Sequence, residues 1–169
     1  EKSGDGFTLS HRDPAIREFW IDHVIRCRKI AEEIGRQLGS KCIHNIWVPD
    51  GSKDLVVDRA GYRQNLKDSL DKIFEYKTND DYMLDSVECK LFGIGSESFV
   101  VGSHEFYMGY GIANKKLVTL DAGHFHPTEV ITEKITSLLL FSPEILLHVS
   151  RGVRWDSDHV VILNDELQA

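Results

Sequence analysis

The apolar positions change period several times along the chain, and each change marks an element. After a polar, Gly- and Ser-containing start over residues 1–10, Asp13-Pro14 offers an N-cap followed by proline at the first helical position. From there Ile16, Phe19, Trp20, His23, Val24, Cys27, Ile30, Ala31 and Ile34 recur at helical spacing, and Gly39 supplies a stop. Lys41 to Val48 (KCIHNIWV) is rich in strand formers, and Pro49-Asp50-Gly51-Ser52 closes it as a turn. A second helix is expected from about Asp58 to Tyr76, with Leu66, Leu70, Ile73 and Phe74 on one face. Val87 to Ile94 (VECKLFGI) reads as a short strand followed by a Gly- and Ser-rich loop. Ser103 to Tyr110 reads as a short helix with Ser103 at its N-cap, and Lys116 to Leu120 as the next strand. Thr128 opens a further helix (TEVITEKITSLLLF), which Pro143 breaks, and Ile145 to Val149 completes the strand patterns. Val160 to Leu163 is either a short extension or a lead-in to a helix, and Asp165 to Ala169 looks like a first helical turn with acids at its N-terminus.

Strands alternating with helices predict a parallel α/β sheet. With no repeat, low-complexity stretch or dividing linker, residues 1–169 are expected to form a single, partial domain. The net charge of −7 and the lack of a dense Lys/Arg cluster argue against a nucleic-acid surface. No apolar run reaches the length of a membrane span. The three cysteines, Cys27, Cys42 and Cys89, form no CxxC pair and read as reduced thiols in a cytoplasmic protein. The chain begins at Glu1 without Met and ends inside an apparent helix, so an internal piece of a longer protein is expected.

Candidate chemistry gathers where short apolar segments end, which is where α/β sheets bind ligands. Glu88 and Lys90 are two apart and would share one face of a strand. They fit either a salt bridge at an exposed edge or a metal ligand beside a polarising cation. Asp121 ends its strand, and Gly123 allows a tight turn that brings His124 toward the same pocket; an ordinary Asx turn gives the same pattern. His126 is a weaker candidate, equally suited to capping. His148 sits in the otherwise apolar ILLHVS, where a hydrogen-bonded core histidine is commoner than a ligand. DSDH, eight residues on, raises the odds of a metal, because Asp156 and Asp158 on one face of an extended segment repel unless a cation or a proton separates them. Two solvated acids are the alternative. Trp47 and Trp155 suit either a sugar-binding pocket or plain core. Gly93-Ile94-Gly95 lacks the third glycine of a dinucleotide fingerprint, and Ser96, Ser98 and Ser103 have no G-x-S-x-G context.

NIWVPDGSKD, KLFGIGSESFVVGSHEFYMGY, LDAGHFHPTEV and LLHVSRGVRWDSDHVV together resemble the L-rhamnose isomerase family, from about Ile43 to the C-terminus. The resemblance implies a metal-dependent aldose–ketose isomerase on a (β/α)8 TIM barrel, usually a homotetramer, of which this chain covers roughly the middle half. It also implies two metals. Glu88, Asp121 and His148 would hold one, with a further Asp from a later strand; His124, Asp156 and Asp158 would hold the other. Lys90 and Trp47 match family residues at the substrate, where His124 is also expected, and Lys90, Glu88 and Asp121 are the expected catalytic groups. A family histidine lies upstream of the segment, and Gly152 stands where Pro is expected. Imidazole among the carboxylates suits Mn²⁺, Co²⁺ or Zn²⁺ better than Ca²⁺. The implied reaction interconverts L-rhamnose and L-rhamnulose by passing hydride between C2 and C1. One cation would fix two sugar oxygens, and the other would polarise the carbonyl. Competing expectations are another two-metal barrel enzyme, such as a hydrolase, or an inactive piece with a binding role. The segment alone, lacking part of the implied site, is expected to be inactive.

Overall fold

A computed structural model describes residues 2–90, 98–151, 153 and 158–168. Helix α1 (Pro14–Leu38) starts where expected: the Asp13 side chain accepts from the Ala15 N–H at 2.8 Å, and Pro14 needs no N–H partner. It ends at Gly39, whose φ of 64° places it in the left-handed region and lets its N–H reach the Gly35 carbonyl. Strand β1 (Cys42–Trp47) follows, then β2 (Gly51–Ser52) and α2 (Arg59–Glu75), capped by Asp58. Strand β3 (Met83–Glu88), β4 (Phe99–Val100) and α3 (His104–Asn114) come next, the last with Ser103 as its cap. Strand β5 (Leu117–Asp121), a 3-10 turn (Ala122–His124), α4 (Thr132–Leu138), β6 (Leu146–His148) and α5 (Asp165–Gln168) complete the order.

The main sheet has four parallel strands in the order β1-β3-β5-β6, with a helix between each successive pair. This is a parallel half-barrel sheet. Its register makes the two faces chemically different. Ile46, Met83, Val87, Val118 and Leu120 are buried on the face that meets the helices, together with Leu66, Leu70 and Ile73 of α2. The opposite face carries Asn45, Trp47, Ser86, Glu88, Thr119, Asp121 and His148, since side chains alternate along a strand. A face built from those residues is not an ordinary core layer, because each buried polar group there needs a partner.

Three local expectations need correction. The strand expected over Val87–Ile94 runs instead from Met83 to Glu88, so Lys90 lies just beyond the strand end and not within it. The reason is Asp85, an acid in mid-strand that breaks the apolar pattern but is neutralised inside the fold by Arg28 of α1. Residues 91–97 lie outside the described residues. Gly51-Ser52, expected as a turn, forms an antiparallel ribbon with Phe99-Val100. The helix expected from Thr128 begins at Thr132, because Thr128 and Glu129 are held in a turn by His126.

The ribbon joins the loops that follow β1 and β3, and the N-terminal segment straps it. Asp50 accepts from both N–H and hydroxyl groups of Thr8 and Ser10, at 2.6–3.0 Å. The Gly51 N–H donates to the Gly6 carbonyl at 3.1 Å, and Phe7 stacks on Tyr62 of α2 with centroids 4.2 Å apart.

Candidate metal centre

Glu88 is the last residue of β3 and Asp121 the last of β5, the neighbouring strand. Both emerge on the polar face at the carboxyl end of the sheet. The Asp121 carboxylate also accepts from the Gly123 N–H at 2.7 Å, and this Asx-type turn carries His124 back over the strand ends. Glu88, Asp121 and His124 are all buried, and each offers a ligating atom within 4.8 Å of the others. His124 Nδ1 stands 3.2 Å from Glu88 Oε1. On the edge strand β6, His148 pairs in register with Asp121, and its Nδ1 lies 3.3 Å from Glu88 Oε1 and 3.2 Å from Asp121 Oδ2.

Electrostatics tie these groups together. Burial raises the Glu88 carboxyl, but hydrogen bonds from His124 and Asn45 outweigh it and hold the group below its ordinary range. Asp121 is raised, first by burial and further by the nearby Glu88 charge, although the charge on His124 opposes this. Burial favours a neutral His124 ring, yet contacts with Cys89 and Glu88 and the charge of Asp121 push it up to about 10. Two crowded carboxylates are thus held together by a positive imidazole. A divalent cation can take over that role with release of the proton, since metal ligands bind deprotonated. Two carboxylates and one or two imidazoles form a donor set for Mn²⁺, Co²⁺ or Zn²⁺, so the residues present fit such an ion.

The substrate candidates stand beside this cluster. Trp47 ends β1 and is 43% exposed; its ring lies 25° from parallel to that of His124, with centroids 6.5 Å apart. Lys90 is buried, and its Nζ sits 5.5 Å from the centre of the Trp47 ring. His126 is exposed, and its Nδ1 lies 2.6 Å from the Thr128 hydroxyl in a local turn. Asp158 is exposed, has a φ of 45°, and is not among the residues that converge. Asp156 and Trp155 lie outside the described residues. The structure therefore places both His124 and His148 at Glu88, whereas the resemblance divides them between two ions.

Sequence reasoning passed over Asn45. Its Nδ2 donates to Glu88 Oε2, and its Oδ1 accepts from the Thr119 hydroxyl at 2.8 Å. The signal was the period of two: Asn45 precedes Trp47 by two residues, as Thr119 precedes Asp121.

Residues 1–169 match the family described as L-rhamnose isomerase (RhaA). The chain belongs to the L-rhamnose isomerase family. It is 61% identical over 167 residues to the L-rhamnose isomerase of Rhodopirellula baltica, a match that covers 99% of this chain and 39% of that relative. The L-rhamnose isomerases of an Enterobacter species and of Escherichia coli are 58% and 57% identical, each over 99% of this chain and 40% of the relative. The chain thus spans about 40% of the length of the L-rhamnose isomerases it matches. Among the described residues, no helix is long and apolar enough to cross a membrane.

Proposed function

We propose that the complete protein carrying this segment is a metal-dependent isomerase that interconverts L-rhamnose and L-rhamnulose. The observation that carries this reading is the convergence of Glu88, Asp121 and His124, with His148 beside them, at the carboxyl ends of parallel strands in a chain of this family. The proposed whole is a (β/α)8 barrel, of which the half-barrel sheet is one part, assembled as a cytoplasmic homotetramer.

Glu88, Asp121 and His148 would hold one cation, and His124 with Asp156 and Asp158 a second, with Mn²⁺, Co²⁺ and Zn²⁺ as the fitting ions. A bound cation supplies Lewis acidity at the sugar oxygens. This segment's own residues would act beside it. Trp47 offers a ring face to the sugar C–H groups. Lys90 brings a buried positive charge to the oxygen on which negative charge develops. The C2 hydroxyl gives up its proton, hydride passes from C2 to C1, and the C1 oxygen takes up a proton. The product is an isomer of the substrate, with no water consumed.

The test uses the full-length protein, stripped of metal and resupplied with Mn²⁺. Ketose should form from L-rhamnose with deuterium retained when C2 carries it, and Glu88→Gln should remove one of the two tightly held Mn²⁺ equivalents and abolish turnover. Absence of ketose, or unchanged Mn²⁺ uptake in Glu88→Gln, would overturn the proposal.

A further inference from the structure

We infer that Asn45, aligned by Thr119 and Ser86, is a positioning residue that fixes the Glu88 carboxylate for its cation. The inference rests on the metal reading above but assigns a role to residues outside the ligand set.

A directional hydrogen-bond chain carries it. Ser86 and Thr119 are fully buried on the polar face of β3 and β5, with their hydroxyl oxygens 2.6 Å apart. Thr119 donates its one proton to Asn45 Oδ1, so it can only accept from Ser86. With its carbonyl oxygen committed to Thr119, the Asn45 amide presents its N–H₂ to Glu88 Oε2. That orientation is the one an ionised carboxylate requires, because a carboxylate only accepts. The chain runs from Ser86 through Thr119 and Asn45 to Glu88 and crosses β1, β3 and β5. It uses Oε2 of Glu88 and leaves Oε1 facing His124 and His148.

The consequence is orientational. Without the Asn45 donor, the Glu88 carboxylate can rotate about its last bond, and either oxygen or neither faces the other ligands. Without the Thr119 hydroxyl, the Asn45 amide can flip and turn its oxygen toward the carboxylate. Partners of this kind, which hold a metal ligand in place, typically affect metal affinity by about 10–100-fold.

The test is made on the full-length, metal-free protein, with the Mn²⁺ dissociation constant and the metal-free thermal midpoint measured for each variant. Asn45→Leu should weaken Mn²⁺ binding by about 10–100-fold. Thr119→Val, which keeps the volume and leaves Asn45 and Glu88 in place, should weaken it by a smaller factor, and Thr119→Ser should restore it. Should Asn45→Leu fail to fold, the Thr119 pair carries the test. A lowered thermal midpoint with Mn²⁺ affinity within twofold of the parent in Thr119→Val would reduce the chain to packing and overturn the positioning role. If the parent's Mn²⁺ affinity is itself indifferent to Glu88→Gln, the metal reading fails, and the positioning role falls with it.

Discussion

Arg28 and Asp85 form a two-point ion pair inside the protein: Nε donates to Oδ1 at 2.9 Å and Nη2 to Oδ2 at 2.8 Å, with side chains 2% and 1% exposed. Arg28 Nη1 also donates to the carbonyls of Ile73 and Tyr76, both at 2.7 Å. One guanidinium therefore ties α1 to the end of α2 and to β3, the strand that delivers Glu88. Asp85→Asn keeps the shape but leaves the buried Arg28 charge without its counter-ion. Breaking a buried pair in this way costs about 3 kcal/mol. Urea unfolding of the full-length protein should show a loss of that size; a loss within error would mean that Arg28 does not depend on the Asp85 charge.

The same pair sets an acid limb. Burial raises the Asp85 carboxyl, but His44, Arg28 and Lys116 outweigh it and hold the group well below the usual carboxylate range. The folded value is thus lower than the unfolded value of about 3.9. The associated stability is fully present above about pH 4, and is lost as pH falls toward the folded value. The stability gap between parent and Asp85→Asn should be largest near neutrality and shrink steadily in acid. Unfolding curves at neutral pH and at successively lower pH check this, and a gap that stays constant would contradict it.

Gly35 sits in α1 where the helix meets the chain leading into β3. A Cβ there would lie 1.9 Å from the Tyr82 carbonyl oxygen and 2.9 Å from that of Ser40. Both obstacles are backbone, so neither can swing aside. Gly35→Ala should cost about 3 kcal/mol, despite alanine's better helix propensity, because α1 must shift off β3. Thermal unfolding of the variant decides it, and a midpoint equal to or above the parent's would show that the helix moves freely there.

Lys90 tests the catalytic reading separately from the metal. Lys90→Met removes the charge while keeping most of the length that packs beside Trp47. Turnover of L-rhamnose in the full-length protein should fall by about two powers of ten, with Mn²⁺ content and folding unchanged. Undiminished turnover would deny Lys90 a part in the chemistry.

Short-range features of this chain were legible in its sequence. Asp13-Pro14, Gly39 and Ser103 act on backbone groups within a few residues, and each caps its helix as read, while Asp58, read only as the start of a helix, is its N-cap. Asp121 was legible as a strand end and His148 as the close of an apolar run, because apolar runs stop there whatever the strands pair with, whereas Glu88 was read near the start of a strand that it in fact ends. The bounds of β3 were not, because Asp85 looks like a loop residue until Arg28, 57 positions earlier, is brought against it. The Asn45–Glu88 contact likewise joins residues 43 apart, and exists only because β1 lies beside β3 in the register that pairs Trp47 with Glu88. Residue type alone decided which side chains could bear charge, ligate or cap. Which of them converge was decided by strand order and register, since a one-residue slip in β3 would turn Glu88 to the helix side and bring Asp85 to the polar face.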